Sequence, residues 1–125
     1  MKAIETRLIL ALCLFLFTIF SGIWLSKTGR PLNSGIFTLH KLLALAGTFL
    51  IVVSAYQLQK GLEINQLKII FFVFSALFFL MAFITGALLS FDKTTNEVIL
   101  IIHKIASFGI IISAGLIIYF FIVKK

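Results

Sequence analysis

IFTLHKLLALAG (residues 36–47) sets a histidine and a lysine side by side in a run that otherwise reads as membrane-buried helix. The pair returns in LIIHKIASFG (residues 100–109), and His40 and His103 are the only two histidines in the chain. Around both pairs the sequence is continuously apolar, without the every-other-residue alternation of a membrane strand. Working outward, four such runs emerge, roughly 8–25, 36–59, 67–90 and 98–123. Each is near the ~20 residues that a helix needs to cross a bilayer. The connections between them are short. SKTGRPLNSG carries the turn-formers Gly29, Pro31, Asn33 and Gly35, QKGLEINQ carries Gly61 and Asn65, and FDKTTNE suggests a capping box of Thr94 with Glu97. Short links make successive spans antiparallel neighbours, so the expected fold is an all-α, up-and-down four-helix membrane bundle forming a single domain, 1–125.

Composition agrees. The chain is 62% hydrophobic and 12% charged, with 15 Phe and 1 Pro, whereas a soluble domain carries about 25% charged residues. Its net charge of +7 does not indicate nucleic-acid binding. The basic residues stand at the ends of apolar runs, where they anchor helices at the lipid interface, and they form no patch interleaved with aromatics. Cys13 is the only cysteine, which excludes an intramolecular disulfide, a cysteine metal site and covalent c-type haem attachment. The first apolar run follows basic residues as a secretory signal would. It is too long for one and no A-x-A site follows, so it is expected to stay as the first span.

The halves repeat, about 1–60 on about 61–125. A shift of 64 lays SGIWLS on TGALLS, pairing Gly22, Leu25 and Ser26 with Gly86, Leu89 and Ser90, and also Phe15 with Phe79 and Leu16 with Leu80. A shift of 63 lays His40-Lys41 on His103-Lys104 and Tyr56 on Tyr119. With two spans per repeat, both halves enter the membrane in the same direction, and their pseudo-twofold axis runs along the membrane normal. His40 and His103 therefore lie at one level near the starts of spans two and four, about 6–9 Å below the interface, and can face one another.

Intramembrane histidines are costly without partners and mark functional sites. One role is structural, a hydrogen bond from each ring to Thr, Ser or a backbone carbonyl of a neighbouring helix. The other is bis-histidine ligation of one haem b, for which a four-helix core is a common setting. Room for a porphyrin is expected along Gly22, Thr18, Phe15 and Ala11 in span one and Gly86, Ala82, Phe79 and Ser75 in span three, with glycine letting the macrocycle near the backbone. Small residues follow each histidine: Ala44 and Gly47, and Ala106 and Ser107. Lys41, Lys104 and Arg30 are candidates for the propionates. A bare ion normally needs three or four ligands, and no acidic residue or cysteine accompanies the pair, Glu97 lying nearly two turns from His103. Haem asks the protein for only two. Tyr56 and Tyr119 read as interfacial belt residues, and Trp24 as either belt or pocket wall.

With its four spans and paired histidines, the chain resembles the membrane b-type cytochromes, namely the cytochrome b561 type and the cytochrome b subunits of respiratory hydrogenases and dehydrogenases. That resemblance implies electron transfer through haem b with a quinone or a redox partner protein, as a carrier or complex subunit rather than a stand-alone enzyme. Many such proteins hold two haems on four histidines; this chain has histidines for one. Lys and Arg number six on the side of the termini (Lys2, Arg7, Lys60, Lys68, Lys124, Lys125) and five on the other (Lys27, Arg30, Lys41, Lys93, Lys104). Setting aside Lys41 and Lys104 as snorkelling leaves three, which leans both termini toward the cytoplasm of a bacterial or archaeal cell and the haem toward the outer face. Two other functions stay open, a structural or assembly subunit with helix-joining histidines and a haem sensor or haem-handling protein. A homo- or hetero-oligomer is compatible with each.

Overall fold

The computed structural model describes residues 2–29, 31–60, 66–91 and 96–120. Four helices account for nearly all of them: α1 (Lys2–Thr28), α2 (Ser34–Gln59), α3 (Gln66–Phe91) and α4 (Glu97–Ile118). Each is long and apolar enough to cross a membrane. No strand occurs among the described residues. At 1.5 Å per residue the helices run about 33–40 Å, enough for a hydrocarbon core of ~30 Å with a polar margin. α1 begins well before its apolar run because Lys2, Glu5 and Arg7 continue the helix into the interface; the expected end of span four, residue 123, lies outside the described residues.

The ends follow local chemistry. α1 stops at Thr28, and Gly29 follows with φ 71°, the left-handed geometry that glycine adopts without a Cβ clash after a helix. α2 opens on Asn33, whose side chain accepts from the backbone N–H groups of Gly35 and Ile36. α4 opens in the same way on Asn96, which accepts from Val98 and Ile99. This corrects the capping box expected from Thr94 and Glu97. With Asn96 as the cap, Glu97 is the first helical residue and is placed too early to reach back; Thr94 itself lies outside the described residues, as do Arg30, Gly61 and Asn65. Asn33 and Asn96 each stand seven residues before a histidine, so the repeat includes the caps and places the two imidazoles at equal depth in their helices. Asn33→Ala and Asn96→Ala are each expected to lower stability by about 1 kcal/mol, measured by denaturant titration in detergent.

The closest packing joins α1 to α2 and α3 to α4. α1 and α4 meet along a shorter line, and among the described residues α2 and α3 hardly touch. The bundle is thus two antiparallel hairpins leaning together along one seam. Lipid tails are as apolar as the core, so what holds the helices is close packing rather than exclusion of water. Glycines provide it. A Cβ on Gly47 would come within 2.8 Å of the Phe15 ring, and one on Gly109 within 2.6 Å of Phe78. Ala11, Phe15, Ile51, Ile110 and Ala114 form the central cluster, and Leu8, Leu58 and Ile117 close the end nearer the termini. There Arg7 also donates to the Gln57 side chain at 2.6 Å. The opposite half, which contains the histidines, holds a cavity.

Candidate cofactor site

Each hairpin builds the same seat for its own imidazole. In the first, His40 on α2 donates its Nδ1–H to the backbone carbonyl of Thr18 on α1 at 2.9 Å. That carbonyl lies one turn before Gly22, and the missing side chain at Gly22 is what lets the ring reach it. A Cβ there would stand 3.0 Å from His40 Cε1. Ser21 Oγ lies 3.0 Å from the same Nδ1, while its own hydroxyl donates to Thr18 O at 2.8 Å. In the second hairpin His103 Nδ1–H donates to Ala82 O at 3.1 Å. Thr85 Oγ1 stands 3.0 Å from that Nδ1 and donates to Met81 O at 2.7 Å. A Cβ on Gly86 would come 3.2 Å from His103 Cε1. Thr18, Ser21 and Gly22 thus do in one half what Ala82, Thr85 and Gly86 do in the other.

These bonds decide the tautomer. A carbonyl only accepts, so Nδ1 carries the proton and, in the neutral ring, the Nε2 lone pair is left free. Nε2 is also the ring nitrogen farther from the seat, 3.9 Å from the Gly22 Cβ position against 3.4 Å for Nδ1. The two ring centres are 6.2 Å apart with planes inclined at 57°. Two imidazoles that ligate one first-row metal from opposite sides through ring nitrogens at ~2.0–2.1 Å would have ring centres ~6.3 Å apart, close to the separation here.

Around the rings is a cavity of about 360 Å³, within the ~300–1,000 Å³ of small-molecule and cofactor sites. His40, His103, Gly22, Gly86 and Lys41 all line it, as do Ala44 and Ser107. Phe15 and Phe79, with ring centres 5.4 Å apart, lie where it meets the solid half. Among the described residues no group of three or more His, Cys, Asp and Glu gathers into a metal cluster. The donor set is two imidazoles in an apolar chamber, which fits a metal that brings its own equatorial ligands.

Other expected residues fall differently. Lys104 is exposed and is not part of the cavity wall, and Arg30 lies outside the described residues. Lys41 Nζ stands 4.1 Å over the Phe37 ring, so its stem lies along the cavity while the charge is held at the rim. Gly47 is filled by Phe15 and Ala106 is fully buried, so neither widens the chamber. Gly22 and Gly86, expected to admit a macrocycle, make room first for the imidazoles. Trp24 is exposed and absent from the wall, which favours the belt. Tyr56 is exposed beneath Lys60 Nζ, 4.8 Å from its ring centre, as an interfacial residue would be.

Ser21 and Thr85 were not legible as site residues, although the 64-residue shift aligns them and sets a hydroxyl before each glycine. Comparison with protein-family models, with curated proteins and with solved structures gives no match for this chain.

Proposed function

We propose that this protein is a b-type cytochrome of a cellular membrane, with His40 and His103 as the axial ligands of one haem b. One observation carries the reading: two repeated seats grip the imidazoles by Nδ1, free both Nε2 atoms and hold the ring centres 6.2 Å apart beside one cavity. Haem b, when bound, supplies a one-electron couple, and an iron closed by two imidazoles suits electron transfer rather than oxygen chemistry. The chain orients the ligands, surrounds them with apolar side chains, and offers Lys41 at the rim for a propionate. Leu45 on α2 and Phe83 on α3 both line the cavity and are exposed. The gap between these two helices is where a quinone or a redox partner would approach. The lysine and arginine distribution leans the termini toward the cytoplasm and the haem toward the outer half of the bilayer.

A second reading has an observation of its own. The Nδ1 bonds join helices within each hairpin, as they would in a purely structural or assembly subunit. Asparagine separates the two, because its amide can replace the Nδ1 donor but offers no imidazole to iron. Under our reading, His40→Asn and His103→Asn keep the helix content and the melting behaviour of the haem-free wild type but lose the chromophore. Reduced-minus-oxidised absorbance of protein made with ample haem reads this directly: sharp reduced bands are expected from the wild type and none from either variant. A colourless wild type defeats the cytochrome reading. A haem sensor or haem-handling protein would give up its haem readily to apo-myoglobin, whereas two pre-set ligands predict slow transfer.

A further inference from the structure

We propose that Ser21 and Thr85 are positioning residues that set the electron-donating strength of the two axial imidazoles, and so hold the reduction potential low; this rests on the cytochrome reading above. Each hydroxyl already donates its proton to a carbonyl of its own helix, Ser21 to Thr18 O at 2.8 Å and Thr85 to Met81 O at 2.7 Å. What each then presents to the facing Nδ1–H is an oxygen lone pair, at 3.0 Å in both hairpins. Every Nδ1–H therefore meets two acceptors, a carbonyl and a hydroxyl oxygen.

Two acceptors draw the N–H proton outward and leave more electron density on the ring, which strengthens donation from Nε2 to a metal. A stronger donor favours the ferric over the ferrous iron, and hydrogen bonding behind the ligand is among the levers that set haem potentials. Simple helix packing would not require this arrangement. The carbonyl bond alone fixes the ring, and an apolar side chain (alanine or valine) would serve packing at positions that are only 6% (Ser21) and 7% (Thr85) exposed. Yet a hydroxyl stands there in both halves, serine in one and threonine in the other. What the two seats share is the acceptor.

The test is a spectroelectrochemical titration of the purified full-length protein and of Ser21→Ala, Thr85→Ala and the double variant. Each single variant is expected to raise the midpoint potential, and the double variant by about the sum of the two. Haem retention should weaken by about 10–100-fold, the usual cost of losing such a partner. Ser21→Thr and Thr85→Ser keep the acceptor and are expected to keep the potential. Ser21→Cys, a weaker acceptor of similar size, gives a smaller rise and continues the test should an alanine variant lose its haem. A haem-loaded wild type whose alanine and cysteine variants show an unmoved potential overturns this inference alone. A wild type that binds no haem overturns it together with the cytochrome reading.

Discussion

His103→Ala is expected to give a protein that inserts and folds as the wild type does but lacks the sharp low-spin haem spectrum, and His40→Ala to do the same. The expectation is symmetric because the seats are symmetric. Each ring is held within its own hairpin, through Thr18 and Ser21 or through Ala82 and Thr85. Removing one ring therefore leaves the other in place. The loss is of ligation, and one remaining imidazole gives at best a weak, five-coordinate, high-spin site. Haem content per chain should fall by about tenfold or more, since losing a ligand costs at least as much as losing a partner behind one. The fold should tolerate the change because neither histidine belongs to the packed central cluster of Ala11, Phe15, Ile51, Ile110 and Ala114. Added imidazole, small enough for the vacated seat, should restore part of the low-spin spectrum. Haem content and spectra of the two variants, with and without imidazole, check this.

Gly22→Val and Gly86→Val are expected to have nearly as large an effect by a different route. At these positions the first added carbon already approaches His40 Cε1 to 3.0 Å and His103 Cε1 to 3.2 Å. A β-branched side chain also covers the carbonyl one turn back, so the imidazole loses its Nδ1 partner and is pushed from the seat. Overpacking of this kind costs about 1–3 kcal/mol, and on the cytochrome reading a ring displaced by even an ångström would no longer share a metal with its opposite number. Low-spin haem should be largely lost from both variants. Gly22→Ala and Gly86→Ala should show a graded version, because an imidazole can shift by a few tenths of an ångström. The contrast with Gly109→Ala is informative. There the added carbon meets Phe78 at 2.6 Å, so thermal stability should fall while the spectrum of the folded fraction is unchanged.

The sequence yields the bundle readily and the site only in part. Four long apolar runs joined by short polar turns leave little choice of architecture, because only a helix satisfies its backbone within a single span. The histidines also stand out, being expensive in lipid. Which side chains surround them is harder to read. Leu45 and Phe83 face both lipid and cavity, and in a chain whose core and solvent are equally apolar, hydrophobic periodicity does not separate inward from outward faces. The small and polar residues carry the remaining information. Gly22 and Gly86 stand out in the repeat, whereas their neighbours Ser21 and Thr85 do not, since serine and threonine in membrane helices commonly bond their own backbone. The common seven-residue offset from Asn33 to His40 and from Asn96 to His103 is also written in the sequence, but Thr94 with Glu97 presents a competing capping pattern there. The backbone carbonyls of Thr18 and Ala82 carry no side-chain signal at all, and only the packed hairpins place them against the rings.

The central claim is that two opposed imidazoles share one metal, and low-temperature electron paramagnetic resonance of the oxidised, full-length protein, with haem quantified on the same sample, tests it most directly. The account predicts one haem per chain with the low-spin signal of two axial imidazoles, lost when either His40 or His103 is replaced. Protein that takes up no haem when haem is abundant, or haem that keeps its low-spin signal in the His40→Ala, His103→Ala double variant, would contradict it.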